Sequence, residues 1–183
     1  MSKMHVVIIN GYPRSGKDTF IEMCRKYCAD NEMAYVVGMS TIDPVKEALH
    51  SLGWSGEKTI AARNMLSDLK KFWIEECNGG PLRYTIDYIM KLIGNYAGND
   101  VILFIQIREA SEIDSTVDML KVMRDKFSLD YTTLVIRRNT DIVATNDSDK
   151  YVDRYQYNMG VNNNGTIDEL REAAEKFCDE VLQ

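Results

Sequence analysis

The segment from Asn10 to Thr19, NGYPRSGKDT, contains the residues whose types and spacing point most directly to chemistry. Gly11, Gly16 and Lys17 fit the pattern G-x-x-x-x-G-K, in which backbone N–H groups surround phosphate oxygens and the lysine reaches the outer phosphates. Glycine is needed where the backbone approaches a ligand closely or takes a positive φ. Arg14 adds a second cation, so the segment predicts a binding site for a polyphosphate.

Asp18 stands where this pattern usually carries a hydroxyl side chain. A carboxylate is a hard oxygen ligand for Mg²⁺, directly or through water, although its repulsion from the phosphates must be offset by the metal and Lys17. Thr19 offers a hydroxyl as an alternative. Asp18 can also be read as an acidic first-turn residue favoured by the helix dipole. The first interpretation predicts a magnesium site, and the last predicts none.

The pattern has this meaning only between a strand and a helix. The run from His5 to Ile9, HVVII, is typical of a strand buried on both faces of a parallel sheet. Apolar residues then recur at helical spacing between Lys17 and about Asn31. The order strand, loop and helix is therefore the one that a phosphate loop requires.

The rest of the chain alternates in the same way. Further strands are predicted near 34–38, 100–107, 131–136 and 155–161. Asp43 followed by Pro44 reads as an N-cap with proline at the first helical position. Helices are also expected near 111–127 and after Thr166, where a capping box opens an amphipathic segment. This alternation predicts a doubly wound α/β domain with a mainly parallel sheet of five strands.

Two segments depart from the alternation. Residues 39–98 carry helical patterns interrupted at Gly53, Gly56 and the turn Gly79-Gly80-Pro81, and no strand pattern intervenes. We expect this insertion to bind a substrate. Residues 137–154 are polar without a clear period, which is typical of a lid over a ligand. Both segments are expected to belong to one domain spanning residues 1–183.

Composition excludes several classes of protein. The 183 residues are 45 % hydrophobic, with a net charge of −6 and a sequence pI near 5.0, which argues against a long nucleic-acid partner. No apolar run approaches about 18 residues, so neither a membrane span nor a membrane partner is expected and the protein is predicted to be cytoplasmic. Four cysteines without a CxxC pair indicate core thiols in a reducing compartment. Nothing in the sequence fixes the oligomeric state.

The loop SGKDT resembles that of phage-type deoxynucleoside monophosphate kinases and of animal-type phosphomevalonate kinases, which share the P-loop nucleoside monophosphate kinase fold. The segments STIDPVKEAL, FIQIREASEI and YNMGVNNNGTIDEL also look like segments of these kinases. The resemblance touches most of the chain, and only the loop motif is specific.

The resemblance implies ATP-dependent transfer of the γ-phosphoryl group to a phosphate on a small acceptor, with ATP and Mg²⁺ as cofactors. Asp18 would meet the metal, and Arg108 would contact the phosphates or the acceptor. Arg137 and Arg138 fall where such kinases place lid arginines. The nucleotide would lie on loop residues and near two asparagines that border the adenine: Gly11, Arg14, Ser15, Gly16, Lys17, Thr19, Asn163 and Asn164.

Four cations of the helical insertion are candidates for binding the acceptor. Arg63 and Lys70 are seven residues apart and so share a helix face, while Lys46 and Arg83 lie near predicted helix starts. A basic face in an acidic protein suits a phosphorylated acceptor. The alternative is that these are ordinary surface cations.

The sequence leaves the acceptor and the metal's second ligand open. A (deoxy)nucleoside monophosphate is favoured over a phosphometabolite such as phosphomevalonate, but the aromatic residues of a base pocket would serve equally in a core. No Asp ends the third strand, and Gln106 and Glu109 are the nearest substitutes. The cations of the lid are fewer and differently spaced than in adenylate kinases, which argues against that activity.

A nucleotide-binding regulatory module with little hydrolysis is the rival from another class of protein. The long insertion and the lid favour the kinase, because closing segments exclude water from a transfer site.

Overall fold

Five strands and six helices make up the part of the computed structural model that is described, which comprises residues 3–57, 59–77, 80–139 and 152–183. The strands are β1 (Met4–Asn10), β2 (Tyr35–Ser40), β3 (Val101–Gln106), β4 (Leu129–Arg137) and β5 (Met159–Asn162). The helices are α1 (Lys17–Asp30), α2 (Asp43–Ser51), α3 (Ile60–Glu76), α4 (Gly80–Asn95), α5 (Ala110–Arg124) and α6 (Ile167–Val181).

The strands form one sheet in the order β2-β3-β1-β4-β5. β1 runs parallel to both β3 and β4, with Ile9 opposite Gln106 and Asn10 opposite Val135, and β4 runs parallel to β5. The predicted α/β fold with a five-stranded parallel sheet is confirmed. Because parallel strands end at the same edge, the residues that follow β1, β3 and β4 meet there.

The core packs α1 and α6 against the sheet. Phe20 of α1 lies with its ring centroid 5.5 Å from that of Phe177 of α6 and 6.3 Å from that of Phe104 of β3, and all three side chains are buried. Edge-to-face packing of this kind adds to the hydrophobic contribution of the rings. Helix α1, which follows the candidate phosphate loop, is thereby fixed by β3 on one side and by α6 on the other.

The predicted capping box at the start of α6 is confirmed, with Thr166 as the N-cap and Glu169 as its partner.

Two local predictions were wrong. The strand expected over 155–161 begins only at Met159. The side chain of Asn158 accepts from the Thr133 N–H at 3.1 Å, and the hydroxyl of Thr133 accepts from the Asn158 N–H at 2.9 Å. These bonds take the place of the backbone hydrogen bonds of a strand pair. Asp43 is the first helical residue of α2 rather than its N-cap, which is Ile42. Its carboxylate accepts a hydrogen bond from the Ser40 N–H at 2.7 Å.

The chain divides into two compact units, one of Met1–Met39 with Tyr96–Gln183 and the other of Ser40–Asn95. The second unit contains α2, α3 and α4. Thr59 caps α3 by accepting a hydrogen bond from the Ala62 N–H at 3.1 Å. Most of the segment predicted as a lid, residues 140–151, lies outside the described residues, and Arg137 belongs to β4. Among the described helices, none is both long and apolar enough to cross a membrane.

The cysteines are all free. Cys24, Cys28 and Cys178 are buried between α1 and α6, as expected of core thiols, whereas Cys77 is exposed, which the sequence did not predict. A hydrogen bond to Cys178, together with burial, raises the pKa of the Cys28 thiol far above its usual range. The pKa of the Cys178 thiol is raised as well, so the thiols of Cys28 and Cys178 are protonated and unreactive at neutral pH.

We predict that His5 makes folding pH-dependent. It lies on β1, and neither ring nitrogen has a hydrogen-bond partner among the described residues. Burial lowers the pKa of His5, an effect that nearby Asp130 opposes. The folded chain therefore takes up a proton less readily than the unfolded chain, so the free energy of unfolding should fall as the pH drops below about 6.5.

Urea unfolding between pH 7.5 and 5.5 measures this effect. His5→Gln should lose less stability over this range than the unmodified chain, and His50→Gln, which changes the exposed second histidine, is measured beside it for comparison. Equal slopes for His5→Gln and the unmodified chain would contradict the assignment.

Candidate active site

The loop from Gly11 to Gly16 connects β1 to α1 at the carboxyl edge of the sheet. β1 is central, with β3 on one side and β4 on the other. The chain adds strands on one side of β1 and then crosses to the other, so the loop lies at the topological switch point where open α/β sheets bind ligands.

Both glycines of the motif have conformations that other residues rarely adopt. φ is +149° at Gly11 and +97° at Gly16. A Cβ on Gly11 would lie 2.5 Å from the carbonyl oxygen of Ile136, and one on Gly16 would overlap the Nδ2 of Asn163. Arg14 also has a positive φ, 63°. The loop is therefore tightly curled and packed against the ends of β4 and β5.

The side chain of Lys17, the first residue of α1, lies inside this loop. Its ammonium donates hydrogen bonds to the carbonyl oxygens of Gly11 at 2.6 Å and Tyr12 at 3.0 Å, and the residue is only 9 % exposed. The lysine is thus held within the loop and is not a solvated surface cation. A positive charge at this point attracts the outer phosphates of a bound nucleotide.

The start of α1 supplies further positive potential. Gly16 is the N-cap, no side chain caps the helix, and the first helical hydrogen bond runs from Phe20 N–H to Gly16 O at 2.9 Å. The N–H groups of a first helical turn have no acceptor within the helix. They and the helix dipole favour an anion at this end.

Asn163, which is predicted to border the adenine, lies under the loop. Its Nδ2 donates to the carbonyl oxygen of Ser15 at 2.8 Å, and its backbone N–H donates to the carbonyl oxygen of Arg137 at 2.7 Å. Ser15 is buried, and its hydroxyl has no partner among the described residues. Asn164 accepts a hydrogen bond from the Asn139 N–H at 2.6 Å. The contact of Asn163 with Ser15 makes it a support of the loop.

Asn10, the last residue of β1, links three parts of the site. Its Oδ1 accepts from the Gly11 N–H at 2.8 Å, and its Nδ2 donates to the Arg108 carbonyl at 3.2 Å and to the Tyr157 hydroxyl at 2.8 Å. Asn10 is 1 % exposed. Its contacts fix the backbone after β3 against the start of the loop.

Asp18 and Gln106 lie together at the loop. The Gln106 amide donates to the Asp18 carboxylate at 2.9 Å. No group of three or more His, Cys, Asp or Glu side chains suited to a metal occurs in the described residues. Mg²⁺ commonly binds through one or two carboxylates together with substrate phosphates, so an exposed carboxylate beside the phosphate loop fits this ion.

Four arginines that the sequence singled out lie in or next to segments at this edge. Arg14 is in the loop, Arg108 follows β3, Arg137 ends β4 and Arg138 follows it. Arg14, Arg108 and Arg138 are exposed. An edge with this many cations in an acidic protein can bind a ligand with several negative charges.

The four candidates for binding the acceptor lie in the unit of Ser40–Asn95. Lys46 pairs with Asp43 at 2.9 Å, and Arg83 pairs with Asp87 at 3.0 Å, in each case within one helix. Arg63 and Lys70 share α3, where Arg63 is exposed and Lys70 half-buried. Their role in binding an acceptor stays a prediction.

The sequence did not predict a part in the site for Tyr157, Asp153 or Gly160. It also gave no role to Asn10 and Tyr12. Tyr157 bonds Asn10 at the end of β1 and Asp153 bonds Tyr12 of the loop, each across more than 140 residues of chain. Their segment shows no periodic pattern, and contacts between single polar side chains leave no mark in local spacing. Only the glycine in a short strand offered a signal, since glycine within a strand often marks a close approach.

Comparison with known proteins finds similarity at the level of structure. No protein-family model and no curated protein matches the sequence. A cysteine-to-alanine mutant of the APS kinase CysC of Mycobacterium tuberculosis matches with a TM-score of 0.52 at 14% identity, covering 98% of this chain and 97% of that one. The same enzyme in complex with AMPPNP and APS matches with a TM-score of 0.54 at 14% identity, covering 98% of each chain. The chain therefore has a P-loop kinase-like fold.

We predict that Gly16→Ala is more destabilising than Gly53→Ala. The two glycines have nearly equal φ, +97° and +96°, so both substitutions place alanine at a positive φ, where strain is of order 1 kcal/mol. Only at Gly16 does the new methyl group meet a neighbour, Asn163, whereas nothing lies within 4 Å at Gly53. Urea unfolding should give a loss for Gly16→Ala at least about 1 kcal/mol larger, and equal losses would contradict the described packing of the loop.

Proposed function

We propose that this protein transfers the γ-phosphoryl group of ATP to a small phosphorylated acceptor. The observation that carries the proposal is the position of Lys17, held by two loop carbonyls at the N-terminus of an uncapped helix. Phosphoryl transfer demands mainly that charge on the moving group be stabilised and its partners be aligned. A buried lysine, helical N–H groups and edge arginines supply that charge.

Each part of the site has a task in this proposal. The loop and Ser15 hold the phosphates, Lys17 stabilises the outer ones, and Arg108, Arg137 and Arg138 contact the transferring group or the acceptor. Asp18 would hold Mg²⁺, which neutralises charge on the phosphates when bound. Gln106 keeps the Asp18 carboxylate in place through its hydrogen bond.

We further propose a (deoxy)nucleoside monophosphate as the acceptor. The support comes from the loop SGKDT and its resemblance to nucleotide kinases, together with the basic residues of the Ser40–Asn95 unit. A similar structure was solved with AMPPNP and APS, so a chain of this fold can hold a nucleotide and a second small molecule. A phosphometabolite is the alternative acceptor.

The deciding experiment is a screen of acceptors by release of ADP. The purified chain, ATP and Mg²⁺ are incubated with each ribo- and deoxyribonucleoside monophosphate and with phosphomevalonate. We expect ADP release that depends on one group of nucleoside monophosphates. Turnover with phosphomevalonate alone would replace the proposed acceptor, and nucleotide binding without any acceptor-dependent turnover would favour a regulatory module over a kinase.

We predict that Lys17→Ala abolishes most of the transfer. The substitution removes charge that stabilises the transition state, so kcat should fall by about 10²-fold or more. It also leaves the Gly11 and Tyr12 carbonyls without their ammonium partner, so about 1 to 3 kcal/mol of stability should be lost. The assay is run where circular dichroism shows the variant folded. Lys26→Ala, on the exposed side of the same helix, is the control and should retain full activity.

We predict that Asp18→Asn raises the Mg²⁺ concentration needed for half-maximal activity by about tenfold, because the affinity of hard-cation sites follows ligand charge. The amide keeps an oxygen for Gln106. Asp30→Asn, an exposed change at the other end of α1, is the control. If Asp18→Asn costs only a few tenths of a kcal/mol in stability and leaves the Mg²⁺ dependence unaltered, Asp18 serves the helix dipole alone.

A further inference from the structure

Asp153 connects the phosphate loop to Arg137. One carboxylate oxygen, Oδ2, accepts a hydrogen bond from the Tyr12 hydroxyl at 2.8 Å, and the other, Oδ1, lies 3.7 Å from the Nε of Arg137. Tyr12 belongs to the loop and Arg137 ends β4. The two oxygens of one side chain therefore connect Arg137 to the loop.

The backbone at the end of β4 already lies against the loop. A Cβ on Gly11 would come within 2.5 Å of the Ile136 carbonyl oxygen, and Ile136 is the neighbour of Arg137. Arg137 is two residues beyond Val135, which lies opposite Asn10 at the end of β1. With about 3.3 Å of rise per residue, Arg137 extends past the last residue of β1 into the level of the loop.

Gly160 leaves the space that the guanidinium occupies. A Cβ at this position would lie 2.9 Å from the Nη1 of Arg137. Gly160 is in the edge strand β5, opposite Val135, and its φ is outside the region that favours glycine. The absence of a side chain leaves room for the guanidinium, and the backbone conformation at Gly160 does not require glycine.

The segment that contains Asp153 is held at a second point. The Tyr157 hydroxyl accepts a hydrogen bond from Asn10 at 2.8 Å. Burial raises the pKa of Tyr157 to about 12, and the hydrogen bond with Asn10 and the charge of Arg137 oppose this rise. With Tyr12 and Asn10 as two anchors, Asp153 has a fixed place from which to orient Arg137.

We propose that Asp153 is a positioning residue, which holds the Arg137 guanidinium beside the phosphate loop in the orientation required for phosphoryl transfer. This inference rests on the proposed function. The ion pair uses Nε, so the terminal amines can bind two oxygens of one phosphoryl group, which is the geometry that arginine offers to phosphate. Both partners are partly exposed, and pairs of this kind contribute little to folding. The pair is therefore expected to affect the rate of transfer more than stability.

The test is a double-mutant cycle on kcat. Asp153→Ala should lower kcat by about 10-fold to 100-fold, as displacements of a reacting group do, and leave the KM for ATP and the urea midpoint nearly unchanged. Arg137→Ala should lower kcat by at least as much. If Asp153 acts through Arg137, adding Asp153→Ala to Arg137→Ala should produce no further loss.

The matched control is Asp114→Ala. Asp114 is an exposed aspartate of α5. It accepts a hydrogen bond at 3.0 Å from Tyr155, which lies in the same segment as Asp153. Its removal disturbs a tyrosine–aspartate contact of the segment without touching Arg137, so kcat should be unchanged.

Two results would overturn the inference. One is a kcat for Asp153→Ala equal to that of the unmodified chain. The other is that Asp153→Ala lowers kcat by the same factor in the unmodified chain and in the Arg137→Ala variant. Failure of the proposed function looks different, because the unmodified chain would then show no acceptor-dependent turnover, and the inference would fall with it.

Discussion

The buried contact among Phe20, Phe104 and Phe177 is the constraint on which the site depends. It holds α1 between β3 and α6, so the N-terminus of α1 has a fixed direction at the carboxyl edge of the sheet. A helix dipole acts only over its first turn, and a tilt of α1 would carry Lys17 and the loop with it. The electrostatics of the site therefore rest on an apolar interaction in the core.

Support for the loop comes from distant parts of the chain. Asn163, after β5, bonds the carbonyl of Ser15, and Asn10 bonds both the backbone after β3 and a tyrosine before β5. Asn10 and Asn163 are buried, and both have partners, so losing one side of such a pair leaves the other unsatisfied at a cost of about 1 to 3 kcal/mol. Stability and ligand geometry are thus linked through the same few hydrogen bonds.

Much of the fold could be predicted from the sequence, because buried strands and amphipathic helices leave periodic patterns. The run HVVII, the helix after Lys17 and the capping box at Thr166 are local features of this kind. The strand order was not predictable, since it depends on pairings between distant segments. β5 was misplaced because Asn158 and Thr133 bond each other through their side chains, and the four-residue strand begins only after them.

The site was predictable only in part, for a similar reason. The glycines and Lys17 carry a motif because their roles depend on neighbours in sequence. Gln106 was named as a candidate only because it ends a strand, and its contact with Asp18 follows from the pairing of β1 with β3. Asp153 had no local signal at all. The roles of the individual cations in binding stay predictions.

The internal hydrogen bonds of Lys17 have a consequence for affinity. Because the ammonium bonds the Gly11 and Tyr12 carbonyls, the chain's own hydrogen bonds hold the loop in its curled form. A phosphate that enters does not have to order the backbone, so little conformational entropy is lost on binding. The lysine must instead exchange carbonyl oxygens for phosphate oxygens, which are better acceptors because they are charged. Selection for anions is thereby built into the loop, because a neutral ligand offers no gain in that exchange.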